Sequence, residues 1–188
     1  MQKSDSIVII PTYNEKENIE NIIRAVFGLE KVFHILIIED GSPDGTAAIV
    51  KELQKEFPER LFMVERTGKL GLGTAYICGF KWAIEHKYDY IFEMDADFSH
   101  NPNDLPRLYN ACASEGYDLA IGSRYVSGVN VVTWPMGRVL MSYYASNMCK
   151  SSRASRSRTL QQGSNATAAK YLRPSSSTRY ASKDMLSR

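Results

Sequence analysis

The sequence predicts an α/β domain built on a mostly parallel sheet with helices on both faces. Three observations predict it. Apolar runs of strand length alternate with segments of helical period from Ile7 to Gly122. The strand runs Ile7-Val8-Ile9-Ile10 and Ile35-Leu36-Ile37-Ile38 are continuously apolar, as suits strands covered on both faces. Polar and glycine-rich segments follow the strands, at Thr12–Glu15, Asp40–Gly45, Arg66–Gly73 and Asp95–Ser99. In a parallel sheet these segments share one edge, which is where open α/β folds bind ligands.

Each element follows from the pattern. Ile7 to Pro11 forms the first strand. Ile19, Ile22, Ile23, Val26 and Phe27 recur at the spacing of one helix face. Phe33 to Ile38 is the second strand, and Asp40-Gly41-Ser42-Pro43-Asp44-Gly45 is dense turn chemistry. Val50, Leu53 and Phe57 mark the core face of a second helix, which Pro58 closes. Leu61 to Val64 is a third strand. Gly68 to Gly73 is a glycine-rich turn that leads into a helix from Thr74 to His86. Tyr88 to Met94 forms a strand that delivers Asp95 to a loop. Asn103 is placed to cap a helix whose core face is Leu105, Leu108, Tyr109 and Cys112. Leu119 to Gly122 is a short fifth strand.

At 188 residues the chain suffices for one domain with a real core, and 44% hydrophobic with 23% charged residues is ordinary for a globular protein. No apolar run approaches the roughly 20 residues of a membrane span. Met1-Gln2-Lys3-Ser4-Asp5 leads straight into a strand with no secretory pattern. Cys78, Cys112 and Cys149 are odd in number and lack metal-ligand spacing, so reduced thiols are expected. The expected location is cytoplasmic, with peripheral contact at the cytosolic membrane face.

The net charge of +2 hides a division. Eight of the 23 basic residues but only one of the 21 acids lie from Ser151 on, so that segment carries +7 and residues 1–150 carry −5. Residues 151–188 hold ten serines and no Ile, Val or Phe. Such a composition cannot bury enough surface to fold alone. The expected organisation is therefore one ligand-binding domain over 1–150, incomplete on its C-terminal side, and a Ser/Arg-rich tail that is disordered or out of frame. A basic tail can touch anionic lipid or nucleic acid. It lacks interleaved aromatics beyond Tyr171 and Tyr180, and no nucleic-acid partner is expected.

The candidate chemistry sits in the loops. Asp95-Ala96-Asp97 puts two carboxylates one residue apart at a strand end, a pairing suited to Mg²⁺ or Mn²⁺. Two solvated loop acids are the plainer alternative. Tyr13 offers a flat ring to a nucleobase and Glu15 can accept from a ribose or base; otherwise the stretch is a helix-entry turn with Asn14 as cap. Asp40 can hold a ring N–H or a ribose hydroxyl, or close an Asx turn. Lys69 lies within glycines that match neither a dinucleotide fingerprint nor a P-loop, yet it can meet a phosphate. Arg124 and Arg138 suit a further phosphate group, or serve as surface arginines.

Pro11-Thr12-Tyr13-Asn14-Glu15, Glu39-Asp40-Gly41-Ser42-Pro43-Asp44-Gly45-Thr46, Lys69-Leu70-Gly71-Leu72-Gly73-Thr74-Ala75-Tyr76, Asp95-Ala96-Asp97-Phe98-Ser99-His100 and Gly122-Ser123-Arg124-Tyr125 stand in a telling order and spacing. They resemble the family 2 glycosyltransferases, and among them the dolichol-phosphate (polyprenol-phosphate) mannosyltransferases, over residues 7–147. The resemblance implies a GT-A nucleotide-sugar-binding domain that moves mannose from GDP-mannose to a dolichyl or polyprenyl phosphate with inversion. Glucosyl-transferring relatives share most of the blocks, and a nucleotide-sugar-binding fragment without turnover is the other alternative. By resemblance, Pro11, Tyr13, Glu15, Asp40, Lys69, Asp95 and Ala96 contact the donor. Asp95 and Asp97 hold Mg²⁺ or Mn²⁺ on its diphosphate, and Asp97, Arg124 and Arg138 are the catalytic set. Relatives often carry Gln where Ser99 stands, and many carry Asp where Glu39 stands.

Overall fold

The computed structural model describes residues 4–122, 167–170 and 180–182. Four parallel strands form the heart of its sheet: β1 (Ser6–Thr12), β2 (His34–Glu39), β3 (Leu61–Glu65) and β4 (Tyr90–Glu93). They are joined by α1 (Ile19–Phe27), α2 (Thr46–Glu56) and α3 (Leu72–Glu85). A 3-10 turn (Pro102–Asp104), α4 (Leu105–Ala113) and β5 (Leu119–Ile121) follow. The strand order is β3-β2-β1-β4-β6-β5-β7, with β6 at Thr167–Lys170 and β7 at Tyr180–Ser182. β6 runs antiparallel to both β4 and β5, so β5 lies apart from β4, and β7 is parallel to β5. Both late strands come from the segment whose composition predicts no independent folding, and both are held by pairing within this sheet.

The unbroken apolar runs are explained by two cores. Val8 and Ile10 of β1 and Ile35 and Ile37 of β2 point to one face, where α1, α2 and α4 bring Ile22, Val26, Val50 and Leu108. Ile7, Ile9, Leu36 and Ile38 point to the other, where α3 packs through Ala75 and Ala83. Alternation along a strand sends successive side chains to opposite faces, so a strand sealed on both sides must be apolar throughout. α3 lies very close to the sheet because residue 79 has no side chain. A Cβ there would fall 2.6 Å from Cγ2 and 2.9 Å from Cδ1 of Ile9.

Two caps differ from expectation. Asn101, not Asn103, supplies the capping side chain, accepting the Asn103 N–H at 3.1 Å. The chain enters through a 3-10 turn before α4, which shifts the cap two residues upstream. Asn14 is no cap either: its φ of 60° puts it in the left-handed region, and α1 begins only at Ile19. Among the described residues no helix is long and apolar enough to cross a membrane.

The edge opposite the ligand loops is tied at Asp5. Its carboxylate accepts from Ser6 Oγ at 2.7 Å, Lys31 Nζ at 3.0 Å and Tyr109 Oη at 2.9 Å. Its carbonyl accepts the N–H groups of Asp89 and Tyr90. Burial works to raise the Asp5 pKa, but the bonds from Ser6, Lys31 and Tyr109 outweigh it and hold the carboxyl below its usual value.

Two outcomes follow from this packing. Gly79→Ala lowers the unfolding free energy by roughly 1–3 kcal/mol despite alanine's better helix propensity, as read by chemical denaturation. Asp5→Asn lowers it by about 1–3 kcal/mol at pH 7. Because the folded-state pKa is depressed, the charge of Asp5 stabilises the fold above the ordinary aspartate pKa near ~4 and ceases to do so as pH falls through the lower folded value. Urea melts of the two chains should therefore differ at pH 7 and converge only as the pH falls through the lowered folded value of Asp5.

Candidate functional site

Parallel strands deliver their following loops to one edge, and backbone bonds extend the ladder into those loops. The Asp40 N–H reaches Thr12 O at 3.0 Å, Arg66 N–H reaches Glu39 O at 2.7 Å, and Met94 N–H reaches Ile9 O at 3.1 Å. The loops after β1, β2, β3 and β4 thus leave the sheet side by side, carrying Tyr13 and Glu15; Asp40; Lys69; and Asp95, Ala96 and Asp97, with Pro11 still within β1.

The first two loops are latched together. The N–H groups of Asn14, Glu15 and Lys16 donate to Ser42 Oγ (3.0 Å), Thr46 Oγ1 (3.1 Å) and Asp44 Oδ2 (3.1 Å). Glu15 itself accepts from Asn18 Nδ2 at 3.0 Å. Glu39 is buried, and its carboxylate accepts the Gly41 and Ser42 N–H groups at 2.9 and 2.7 Å. Gly41 adopts φ 70° with its Cα-side face against Gly68, where a Cβ would stand 3.3 Å from the Gly68 Cα, so the second loop leans on the third.

A nearly buried ion pair fastens the third loop. Arg66 Nε and Nη2 each lie 2.6 Å from the two Asp40 oxygens, with side-chain exposures of 9% and 8%, and Nη1 donates to Thr74 Oγ1 at 2.8 Å. The guanidinium therefore joins the ends of β2 and β3 to the first turn of α3. A carboxylate oxygen has two acceptor positions, so a ligand contact to Asp40 must share its oxygens with Arg66. Lys69 Nζ sits 4.5 Å from the centre of the Tyr13 ring, a cation–π contact across the first and third loops.

The acids after β4 form a separate group. The Asp95 N–H donates to His100 Nδ1 at 3.1 Å, and Asp95 Oδ1 accepts from the Tyr76 hydroxyl of α3 at 3.0 Å. Asp97 is exposed; its Oδ1 accepts the Ser99 N–H at 2.9 Å and a short bond from Ser99 Oγ. Phe98 between them has φ 57°, a left-handed conformation uncommon for a bulky residue, which turns Ser99 back onto Asp97. Burial works to raise the Asp97 pKa, yet the Ser99 bonds hold it below the usual carboxylate range. Glu93 at the end of β4 is pushed the other way, by burial and then by the neighbouring charge of Asp95. Tyr76 has its ionisation raised by burial and by Asp95, so its hydroxyl stays a neutral donor.

Among the described residues, Tyr76 and Ser99 occupy one oxygen each of Asp95 and Asp97, leaving a second oxygen on each for a cation. No group of three or more His, Cys, Asp or Glu is gathered to hold a metal by itself. Two carboxylates completed by phosphate oxygens and water are the pattern of Mg²⁺ at substrate phosphates, so the donor set fits such an ion. Pro11 lies within β1, one residue before its end, Ala96 is buried in the core between the two acids, and Arg124 and Arg138 lie outside the described residues. Arg66 and Tyr76 are the partners that the sequence analysis did not assign. The only signal for either was a polar residue close to a loop.

The family model "Glycosyl transferase family 2" matches residues 7–177, extending beyond Asn147. The chain is 49% identical over 137 residues to Polyprenol monophosphomannose synthase of Mycolicibacterium smegmatis, covering 73% of this chain and 51% of that protein. It is 42% identical over 140 residues to Undecaprenyl-phosphate mannosyltransferase of Micrococcus luteus, covering 74% and 56%. It thus spans about half the length of these curated relatives. In fold it is similar to glucosyl-3-phosphoglycerate synthase from Mycobacterium tuberculosis in complex with Mn²⁺, UDP and glucosyl-3-phosphoglycerate: TM-score 0.62, 20% identity, 90% of this chain and 57% of that one. It is also similar to the mannosyltransferase PcManGT from Pyrobaculum calidifontis in complex with GDP-Man and Mn²⁺: TM-score 0.52, 22% identity, 63% and 35%. The fold is GT-A.

The ion pair sets a stability test. Arg66→Ala lowers the unfolding free energy by about 3–5 kcal/mol, because it strands the Asp40 charge in a nearly buried place. Adding Asp40→Asn recovers part of that loss in chemical denaturation.

Proposed function

This chain belongs to glycosyl transferase family 2, and we propose that it is a metal-dependent inverting mannosyltransferase that moves mannose from GDP-mannose to a dolichyl or polyprenyl phosphate. The observation that carries the reading is the acid pair Asp95 and Asp97, each with an oxygen to spare at the loop edge, in a chain 49% identical to a polyprenol monophosphomannose synthase. The Mn²⁺ and GDP-Man held by the fold neighbour support the same donor class.

In this reading the guanine stacks near Tyr13, with Glu15 and the Asp40–Arg66 pair as hydrogen-bonding groups beside it. Pro11 and Ala96 offer backbone to the donor. Lys69 leaves the Tyr13 face to meet phosphate, where a charge-assisted contact outweighs an exposed cation–π contact of about 0.5–1 kcal/mol. Asp95 and Asp97 are the residues that would hold Mg²⁺ or Mn²⁺. Such an ion offsets the charge that builds on the departing GDP. The acceptor phosphate is already an oxyanion, so it attacks the anomeric carbon without a strong general base. The new carbon–oxygen bond forms opposite the one that breaks, and the configuration inverts. Arg124 and Arg138 are assigned to the sugar-diphosphate and the acceptor phosphate, easing the approach of two anions. The acceptor is met at the cytosolic face of a membrane.

The test is titration of the full chain with GDP-mannose, with and without Mn²⁺, followed by a transfer assay to a short polyprenyl phosphate. Metal-dependent binding with transfer is expected; metal-dependent binding without transfer would reduce the chain to a nucleotide-sugar binder. Asp95→Ala and Asp97→Ala should each weaken metal-dependent binding at least ~10–100-fold, the range already seen on losing mere supporting groups around a metal, with the melting temperature nearly unchanged. Unaltered affinity in both variants would refute the metal assignment.

A further inference from the structure

The two acids at the loop edge are held in unlike ways. Asp97 is exposed and held by Ser99, two residues away in the same loop. Asp95 is half-buried and gripped from outside its loop as well: its N–H binds His100, and its Oδ1 receives the hydroxyl of Tyr76 at 3.0 Å, 19 residues earlier in the chain.

Tyr76 stands on a rigid support. Its neighbours Ala75 and Gly79 are buried against the sheet, and α3 approaches so closely that residue 79 has no room for a Cβ beside Ile9. The ring of Tyr76 packs on the core cluster formed by Ile7, Ile9 and Ile91. The hydroxyl is thus carried by an element whose distance from β1 and β4 is set by core packing. A hydrogen bond from such a group fixes a carboxylate's rotation, leaving Oδ2 as the oxygen free to face the edge.

The residue type matters as much as the position. An arginine or lysine at this place would orient Asp95 equally well, but its charge would repel the cation that the acid is there to hold. A phenol orients the carboxylate and leaves its full negative charge for the ion.

We propose that Tyr76 is a positioning residue: its hydroxyl locks the Asp95 carboxylate in the orientation that meets the divalent cation on the donor diphosphate. The inference rests on the metal site proposed above and adds the residue that sets its geometry.

The experiment compares the full chain with Tyr76→Phe, Asp95→Ala and the double variant. Mn²⁺ affinity is read in the presence of GDP from the electron paramagnetic resonance signal of free Mn²⁺; GDP affinity without metal and the melting temperature are read alongside. Phenylalanine keeps the ring and its packing. Tyr76→Phe should weaken Mn²⁺ binding roughly 10–100-fold, the range for groups that orient a metal ligand, while metal-free GDP affinity and melting temperature stay near those of the parent. Combined with Asp95→Ala it should add little, because the hydroxyl acts through that carboxylate. If Asp95→Ala abolishes Mn²⁺ binding and Tyr76→Phe leaves it intact, the positioning role is overturned and the metal site stands. If neither alters Mn²⁺ binding, both the site and the role fall. A parallel loss of melting temperature and metal-free GDP affinity in Tyr76→Phe would make the tyrosine structural and also overturn the role.

Discussion

The loop edge depends on how β1 is enclosed. Ile7, Val8, Ile9 and Ile10 are wholly buried, two toward each face, and β1 pairs with β2 on one side and β4 on the other. The strand is the common wall of both cores, and the loops that follow it and its two neighbours make up most of the candidate site. The contact between Gly79 and Ile9 then sets how near α3 lies to that wall. α3 carries Thr74 to Arg66 and Tyr76 to Asp95, so its height above the sheet decides the geometry of two polar groups at once. A packed interior is close to incompressible, and such a distance holds to a fraction of an ångström.

Charge at this edge is divided into satisfied and unsatisfied acids. Glu39 is closed by two backbone N–H groups and Asp40 by a bidentate guanidinium. These two stiffen the turn and hold it to the third loop. Past β4 the balance is different. Glu93, Asp95 and Asp97 stand within five residues, and Glu93 is pushed toward its neutral form by burial and by Asp95. Among the described residues no arginine or lysine bridges to these acids. Negative charge concentrated at one strand end lowers stability through mutual repulsion, which a bound cation would relieve.

The family match reaches residue 177, while the relatives named for mannosyl transfer are aligned over 137 and 140 residues. The structure carries this into the sheet, where β6 lies between β4 and β5 and β7 borders β5. A segment rich in serine and arginine does not supply a core of its own. Its strands form by pairing with β4 and β5, and β6 is what joins β5 to the rest of the sheet.

The elements from β1 to β5 were legible in the sequence because their signals are local. Apolar period, turn residues and glycine runs act within a few positions, and a parallel sheet then sends every following loop to one edge. Local signal alone puts Tyr13, Glu15, Asp40, Lys69, Asp95 and Asp97 just after strand ends. It misplaced the cap ahead of α4, because Asn101 and Asn103 are both capping residues and only the backbone path selects Asn101, which caps the 3-10 turn while Asp104 at the start of α4 makes no capping bond. It also had no means of pairing Arg66 with Asp40, 26 residues apart, or Tyr76 with Asp95, 19 apart. The sequence by itself determined which acids and rings follow the strand ends at one edge of the sheet. Which partner holds each of them was decided by strand register and by the depth at which α3 packs, quantities that exist only once distant segments share a core.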